Sequence, residues 1–378
     1  MRIQNGRLVT IENGTFACGY VDFEKGRITG FGDLADAPAY EGEVLDANGG
    51  WIMPGFIDAH THVGICEEII GAQAGSDCNE KSDPVTPDMR AVDGVKPHDG
   101  SIRKAMEAGI TMAGVSPGSA NVIGGQIAAM KMRGDRVEDM ILKAPAAMKF
   151  ALGQNPKSVY GSKNKAPMTR MAVAAIMRKT LTKAQRYAAK LDAGEDVYDP
   201  ELEALVPVVK GEIPAHFHAH QGDDILTAIR IAHEFHLKYS IVHATGADTV
   251  LQYMAEEQTI PIVGPTGLRP GKPEMRDLSF GTAGRLEKAG MEIAITTDHD
   301  VTPLWLLPTY TGLCVREGLS EEAAFRAITI NGAKALGVAD RVGSITLDKD
   351  ADLVVFSGHP FHYLTKTKAV FIDGQRCK

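Results

Sequence analysis

Pro54-Gly55-Phe56-Ile57-Asp58-Ala59-His60-Thr61-His62 is the stretch that decides the fold of this 378-residue chain. Apolar residues lead into a His-x-His pair. Side chains two apart on a strand point to one face, so His60 and His62 can present two imidazoles to one cation. Imidazole is a common ligand of Zn²⁺. The C-terminal mouth of a (β/α)₈ barrel collects such strand-end residues. Taken alone, the pair also fits two loop histidines satisfied by hydrogen bonds.

Outward from this pair, β-like and helical runs alternate, the order of a parallel α/β fold. Strands are expected at 55–60, 110–115, 126–132, 144–150, 213–218, 239–243, 260–263 and 292–297. The stretch 224–235 puts Ile225, Ala228, Ile229, Ala232 and Phe235 on one helical stripe. A long helix is expected over 168–192, after a polar Gly/Pro-containing loop at 153–167, and a last barrel helix over 321–336. No internal repeat or low-complexity segment appears. The pattern predicts a TIM (β/α)₈ barrel over residues 54–339.

Both ends read differently. Leu8-Val9-Thr10-Ile11 precedes a turn at Asn13-Gly14, and Tyr20-Val21-Asp22-Phe23 and Arg27-Ile28-Thr29 follow. Near the other end, Leu353-Val354-Val355-Phe356 and Ala369-Val370-Phe371-Ile372 are strand-like, the second closed by Asp373-Gly374. Segments 1–53 and 340–378 are therefore expected to pair into one small β domain.

Hydrophobic residues at 44% and charged residues at 23% describe a chain able to bury a sizeable core, which excludes disordered, collagen-like and disulfide-stapled classes. No run of about 18 apolar residues appears, so no membrane span is expected. The net charge of −8 argues against nucleic-acid binding, which needs a concentrated basic surface. The five cysteines are scattered without a C-x-x-C pair, against a thiolate metal site or a disulfide framework. Asn5-Gly6 stands where a signal peptide needs an apolar run, so a reducing, cytoplasmic setting is expected.

More histidines end the later strands. His216, His218 and His220 alternate on one face but climb about 6–7 Å per step, so all three cannot bind one ion. His218 is the expected ligand, where the apolar run yields to the helix start. His220 is expected to face substrate, and His216 to lie deeper as a structural residue. His243, at the end of an otherwise apolar strand, is a second ligand candidate. Asp298 can bind a cation and relay a proton. Asp300 is expected to cap the following helix. Lys149 inside an apolar strand is costly unless neutralised or bound; a snorkelling lysine or a partner for a substrate anion also fits it.

Together these residues resemble the amidohydrolase superfamily, nearest its imidazolonepropionase-like and prolidase-like members. Ala327-Ile328-Thr329-Ile330-Asn331-Gly332-Ala333 and Asp350-Ala351-Asp352-Leu353-Val354 extend the likeness over most of the chain. The resemblance implies a distorted barrel with a composite β-sandwich from both termini, and one or two divalent metals, usually Zn²⁺. His60, His62, His218, His243 and Asp298 match the family's ligand positions. Lys149 matches the fourth-strand lysine that many members carboxylate to bridge two metals; members without it often keep one. The runs from Val115 to Gln126 and from Ala151 to Gly161 are similar to a narrower subgroup and suggest substrate contacts at Asn121, Gln126, Tyr160 and Arg170. That subgroup commonly has Glu where this chain has Gln154, which puts the metal count in doubt.

The resemblance implies hydrolysis of a C–N bond of a small molecule, a cyclic amide above all. Asp298 would relay the proton, and His220 or His243 would stabilise the oxyanion. A deaminase, or a dipeptidase for Xaa-Pro or Xaa-basic peptides with Arg170 or Lys157 on the α-carboxylate, would use the same site. A metal-free scaffold is disfavoured because the His-x-His pair and Asp298 are both present. Many relatives associate, so a homo-oligomer is also an expectation.

Overall fold

The computed structural model describes residues 1–67, 76–266 and 270–378. β1 (Arg2–Val9), β2 (Thr15–Glu24) and β3 (Arg27–Asp33) form an antiparallel meander. The turn between β2 and β3 uses positive φ at Lys25 and Gly26, the geometry that matches strand twist in a two-residue hairpin. β4 (Val44–Asp46) and β5 (Trp51–Pro54) then pair with β1 in parallel.

Gly55 separates β5 from the first barrel strand, β6 (Phe56–Thr61). β7 (Ile110–Val115), β8 (Ile123–Lys131), β9 (Ile141–Ala151), β10 (Ala215–Ala219), β11 (Tyr239–His243), β12 (Ile262–Val263) and β13 (Ala294–Ile295) follow in spatial as well as chain order. Most are buried on both faces, which explains their nearly continuous apolar runs. The amphipathic stripe lies on the helix Gly222–Phe235, and all five of its apolar residues are buried.

The third strand departs from the expected parallel order. β8 runs antiparallel to both β7 and β9. The connections at 116–122 and 132–140 are the physical reason, because a parallel crossover needs about a dozen residues or more. The last helix also differs. It breaks into Glu321–Ala327 and Ile330–Ala335, because the Ile328 carbonyl accepts from the β6 amide of Ile57 at 2.7 Å. That bond helps close the barrel where β13 and β6 share no ladder. Thr296 Oγ1 donates to the His60 carbonyl there, and the Thr297 amide donates to Asp58 Oδ2 at 2.8 Å.

β14 (Leu353–Phe356), β15 (Thr367–Ile372) and β16 (Gln375–Arg376) return to the terminal sheet, with β14 antiparallel to β5. The sheet order is β16-β15-β14-β5-β1-β2-β3, with β4 beside β1. β2 and β15 are four steps apart, about 19 Å if flat. Yet Phe23 and Phe371 meet edge to face at 5.3 Å, so the sheet curls over a core of its own. Barrel and sheet are joined by charge as well. Buried Lys131 on β8 reaches Asp350 at 2.7 Å, Asp352 at 3.2 Å and Asp373, and Arg341 holds Asp350 through two hydrogen bonds.

Cys66 and Cys78 are paired as a disulfide with Cα atoms 5.7 Å apart, where the sequence predicted none. Spacing along the chain gave no sign of it, because the two cysteines are 12 residues apart and share no recognised pair motif. Among the described residues, no helix is long and apolar enough to cross a membrane.

Candidate metal centre

The barrel strands deliver the histidines to one mouth. His60 lies within β6, and His62 follows one residue beyond its end. His62 Nδ1 donates to the Ser116 carbonyl at 2.7 Å, and His243 Nδ1 donates to the Gly264 carbonyl at 2.7 Å. A carbonyl can only accept, so both rings carry the proton on Nδ1 and turn a free Nε2 lone pair to the mouth. Asp298 Oδ1 stands 3.5 Å from His60 Nε2 and 3.4 Å from His62 Nε2. His243 and Asp298 both adopt positive φ, at 77° and 51°. Such backbone is costly for a residue other than glycine and collects at functional sites.

Among the described residues, two groups could hold a cation: His60, His243 and Asp298, and His218, His220 and His243. The second group includes His220 because β10 ends at Ala219, and beyond it the alternation that would carry His220 further along the strand no longer applies. His220 stacks on His243 at 4.6 Å and lies 4.8 Å from the His218 ring. His216 lies deeper, its Nε2 donating to the Ala335 carbonyl at 3.0 Å. Asp300 caps no helix; the next helical turn starts after Pro303 without a side-chain cap.

Lys149 is fully buried, and its Nζ lies 2.8 Å from His60 Nε2. Burial, and secondarily Lys272, push its amine down to about 7 against the pull of Asp298. Burial and the Lys149 charge hold His60 well below its ordinary range, and burial with His243 does the same to His218 and His220. Burial raises the Asp298 carboxyl, but the facing imidazoles and Lys149 reverse that and leave it at about 2. The mouth therefore offers neutral imidazoles and an ionised carboxylate, the protonation states a divalent metal requires.

One residue at this mouth was missed in the sequence. Glu274, in the loop after β12, is buried with its Oε1 3.9 Å from His218 Nε2 and 4.0 Å from His220 Nε2. A carboxylate in a loop leaving the C-terminal end of a barrel strand is the available signal, but it has no fixed spacing to the histidines.

The four expected substrate contacts are dispersed. Tyr160 is fully buried, its hydroxyl 2.6 Å from the Asp83 carbonyl and 2.5 Å from Asn121 Oδ1. Asn121 Nδ2 donates to the Glu80 carbonyl and to Thr86 Oγ1, both at 2.7 Å. These two therefore shape the 80–86 loop from within. Gln126 reaches the Pro87 carbonyl at 3.5 Å, and Arg170 pairs with Asp223 at 3.2 Å on a more exposed surface. Gln154 takes part through its backbone amide, which donates to Glu274 Oε2 at 2.7 Å.

The residues fit a divalent cation. His60 Nδ1, both His218 nitrogens and Asp298 Oδ1 are buried without a hydrogen-bond partner. Buried polar groups are rarely left so. The donor set of imidazoles and carboxylates suits Zn²⁺ and its neighbours.

The sequence profile of the Amidohydrolase family matches residues 51–377. The chain is 28% identical to the amidohydrolase tasK of Hapsidospora irregularis over 88% of its own length and 37% of that protein, so it spans much less than that whole relative. It is 26% identical to the imidazolonepropionase of Sphingopyxis alaskensis, covering 94% of this chain and 91% of that one. A solved amidohydrolase from Thermotoga maritima MSB8 superposes with a TM-score of 0.96 at 39% identity, covering 100% of this chain and 99% of the other.

Proposed function

The chain belongs to the amidohydrolase family, a hydrolase acting on C–N bonds, and from that premise we propose that it opens a cyclic amide of a small molecule in a metal-dependent reaction. The observation that carries this reading is Asp298 Oδ1, buried and unpartnered between His60 and His62. The near full-length likeness to an imidazolonepropionase supports the cyclic substrate.

His60, His62, Asp298 and His243 would hold a divalent cation, most simply Zn²⁺, which would supply Lewis-acid activation of water and of the carbonyl. Asp298 takes the proton of the attacking water and returns it to the leaving nitrogen. His220 stacks on His243 and has Nδ1 2.7 Å from Thr245 Oγ1, and it would stabilise the developing oxyanion. Lys149, unmodified or carboxylated, completes the charge at the floor of the site. The same reading keeps a cytoplasmic location and a small-molecule partner.

The test is Asp298→Asn against a substrate panel of imidazolones, hydantoins, dipeptides and aminated purines. The wild type should open a ring compound, and the variant should lose about 10²–10⁴ in turnover while keeping most of its metal. An active, metal-loaded variant would remove Asp298 from proton transfer. Turnover confined to dipeptides or purines would replace the cyclic substrate.

A further inference from the structure

We propose that Cys66 and Cys78 are a redox site, a reversible thiol–disulfide pair whose opening loosens the hold on His62. One arm of its test rests on the metal-dependent reading above; the pair itself does not. The bond closes a ring of contacts that passes through His62. On one side, the His62 carbonyl accepts the Cys66 amide at 2.8 Å and the Ile65 amide at 3.1 Å, in the turn that leaves β6. On the other, the Cys78 carbonyl accepts the Gly118 amide at 2.6 Å, and Asn79 Oδ1 accepts the Ala120 amide at 2.9 Å. Gly118 sits so close to Asn79 that a Cβ there would lie 2.3 Å from Asn79 Nδ2. Two residues earlier, the Ser116 carbonyl takes the His62 Nδ1 proton at 2.7 Å. The disulfide therefore ties the backbone that carries His62 to the segment that orients its ring.

A passive staple is the plain alternative, and its placement argues against it. A 378-residue chain with extended cores in barrel and sheet does not depend on a cross-link for its fold. The bond spans only 12 positions, and short loops gain least from closure. Cys78 also lines a surface pocket of about 430 Å³ with Asn79, Asp88, Arg90 and Pro117, which gives a small thiol a route to the sulfur. Reduction would not free the two segments entirely, because the Asp77 amide still donates to the Ile65 carbonyl at 2.8 Å. The response is thus a graded loosening of His62, and the fold survives it.

The chemistry is thiol–disulfide exchange with a low-molecular-weight thiol such as glutathione. Its thiolate attacks the Cys78 sulfur, the S–S bond breaks, and Cys66 leaves as a thiolate that takes up a proton. A second glutathione thiolate attacks the mixed disulfide, and Cys78 departs and is protonated in turn. Two glutathione thiols are oxidised to one disulfide, and the protein disulfide is reduced to two thiols. Closure is the reverse reaction with oxidised glutathione.

The experiment equilibrates the full-length protein with excess oxidised or excess reduced glutathione, removes the glutathione without air, and counts free thiols by alkylation and mass spectrometry. Cys66 and Cys78 should be protected in the first state and alkylated in the second. Zn²⁺ affinity, read by chelator competition, should fall about tenfold on reduction, the low end for loss of an outer-shell partner. In metal-free protein, the His62 Nδ1 proton followed by NMR should exchange with solvent faster after reduction. Cys66→Ser/Cys78→Ser should match the reduced wild type under both conditions; if it does not fold, the two wild-type states carry the test. Equal Zn²⁺ affinity and equal proton exchange in the two states overturn the proposal. So does a pair that stays reduced in oxidised glutathione or closed in reduced glutathione, or a redox response that persists in the double variant. A protein that binds no Zn²⁺ in either state refutes the metal-dependent reading instead, and the His62 proton exchange then decides the redox site alone.

Discussion

Lys149 Nζ lies 2.8 Å from His60 Nε2, and neither residue exposes any surface. Burial pushes the proton affinity of both groups down, and an amine and an imidazole so placed cannot both carry charge. Lys149→Met should therefore fold with an unchanged or higher thermal midpoint, since an uncompensated buried amine is removed. Turnover should fall by at least about tenfold if Lys149 sets the charge of the site. Unchanged turnover in the folded variant would reduce Lys149 to packing.

His60 and His216 both sit within barrel strands, and they should fail differently. His60→Ala should lose its bound divalent metal, measured by metal content. His216→Ala should keep it and lose about 2–4 kcal/mol of stability to denaturant, because it leaves a cavity and the Ala335 carbonyl without its donor. Metal loss in His216→Ala, or full metal in His60→Ala, would overturn the assignment.

Lys131 joins barrel to terminal sheet through Asp350, Asp352 and Asp373. Lys131→Met leaves buried carboxylates uncompensated and should cost roughly 3–5 kcal/mol in urea unfolding. Adding Asp352→Asn should recover part of that loss, because burial already pushes the Asp352 carboxyl up to about 6. Independent, additive losses would show that the two do not interact.

Acid should destabilise the metal-free protein. Burial holds His216 and His243 at about 4 in the folded chain, and His60, His218 and His220 lower than ordinary histidine. The unfolded chain takes up protons below about 6.5 while the folded chain does not, so stability is full above 6.5 and falls toward pH 4. Each such histidine steepens the loss by about 1.4 kcal/mol per pH unit. Asp58 and Asp352, raised to about 6, act in the opposite sense but are outnumbered. A thermal midpoint flat from pH 7.5 to 5 would contradict a neutral histidine cluster.

Much of this site was legible because it obeys strand geometry. His60 and His62, His218, His243 and Asp298 all stand at or just beyond strand ends, and apolar runs mark those ends. The reading failed where local pattern does not carry direction or distance. The residues of β8 look like any buried strand, and only the short connections reveal its reversed course. His220 moved toward His243 because the strand ended one residue before it. Glu274 reaches the mouth from a loop, and its partner amide at Gln154 lies on a different element. Ile328 broke a helix to serve a strand 271 residues earlier, at Ile57, a long-range demand that a helical stripe cannot show.

The terminal sheet has a consequence for biosynthesis. β5 pairs with β14 across some three hundred residues of intervening chain. While the ribosome is still translating the barrel, β5 has a bare edge, and its apolar face lacks Leu353, Val355 and Phe371. An exposed edge of that kind invites pairing with other nascent chains. Production of this protein therefore depends on the interval before residues 353–376 emerge, and slower translation of the segment between β5 and β14 should increase its demand for chaperones.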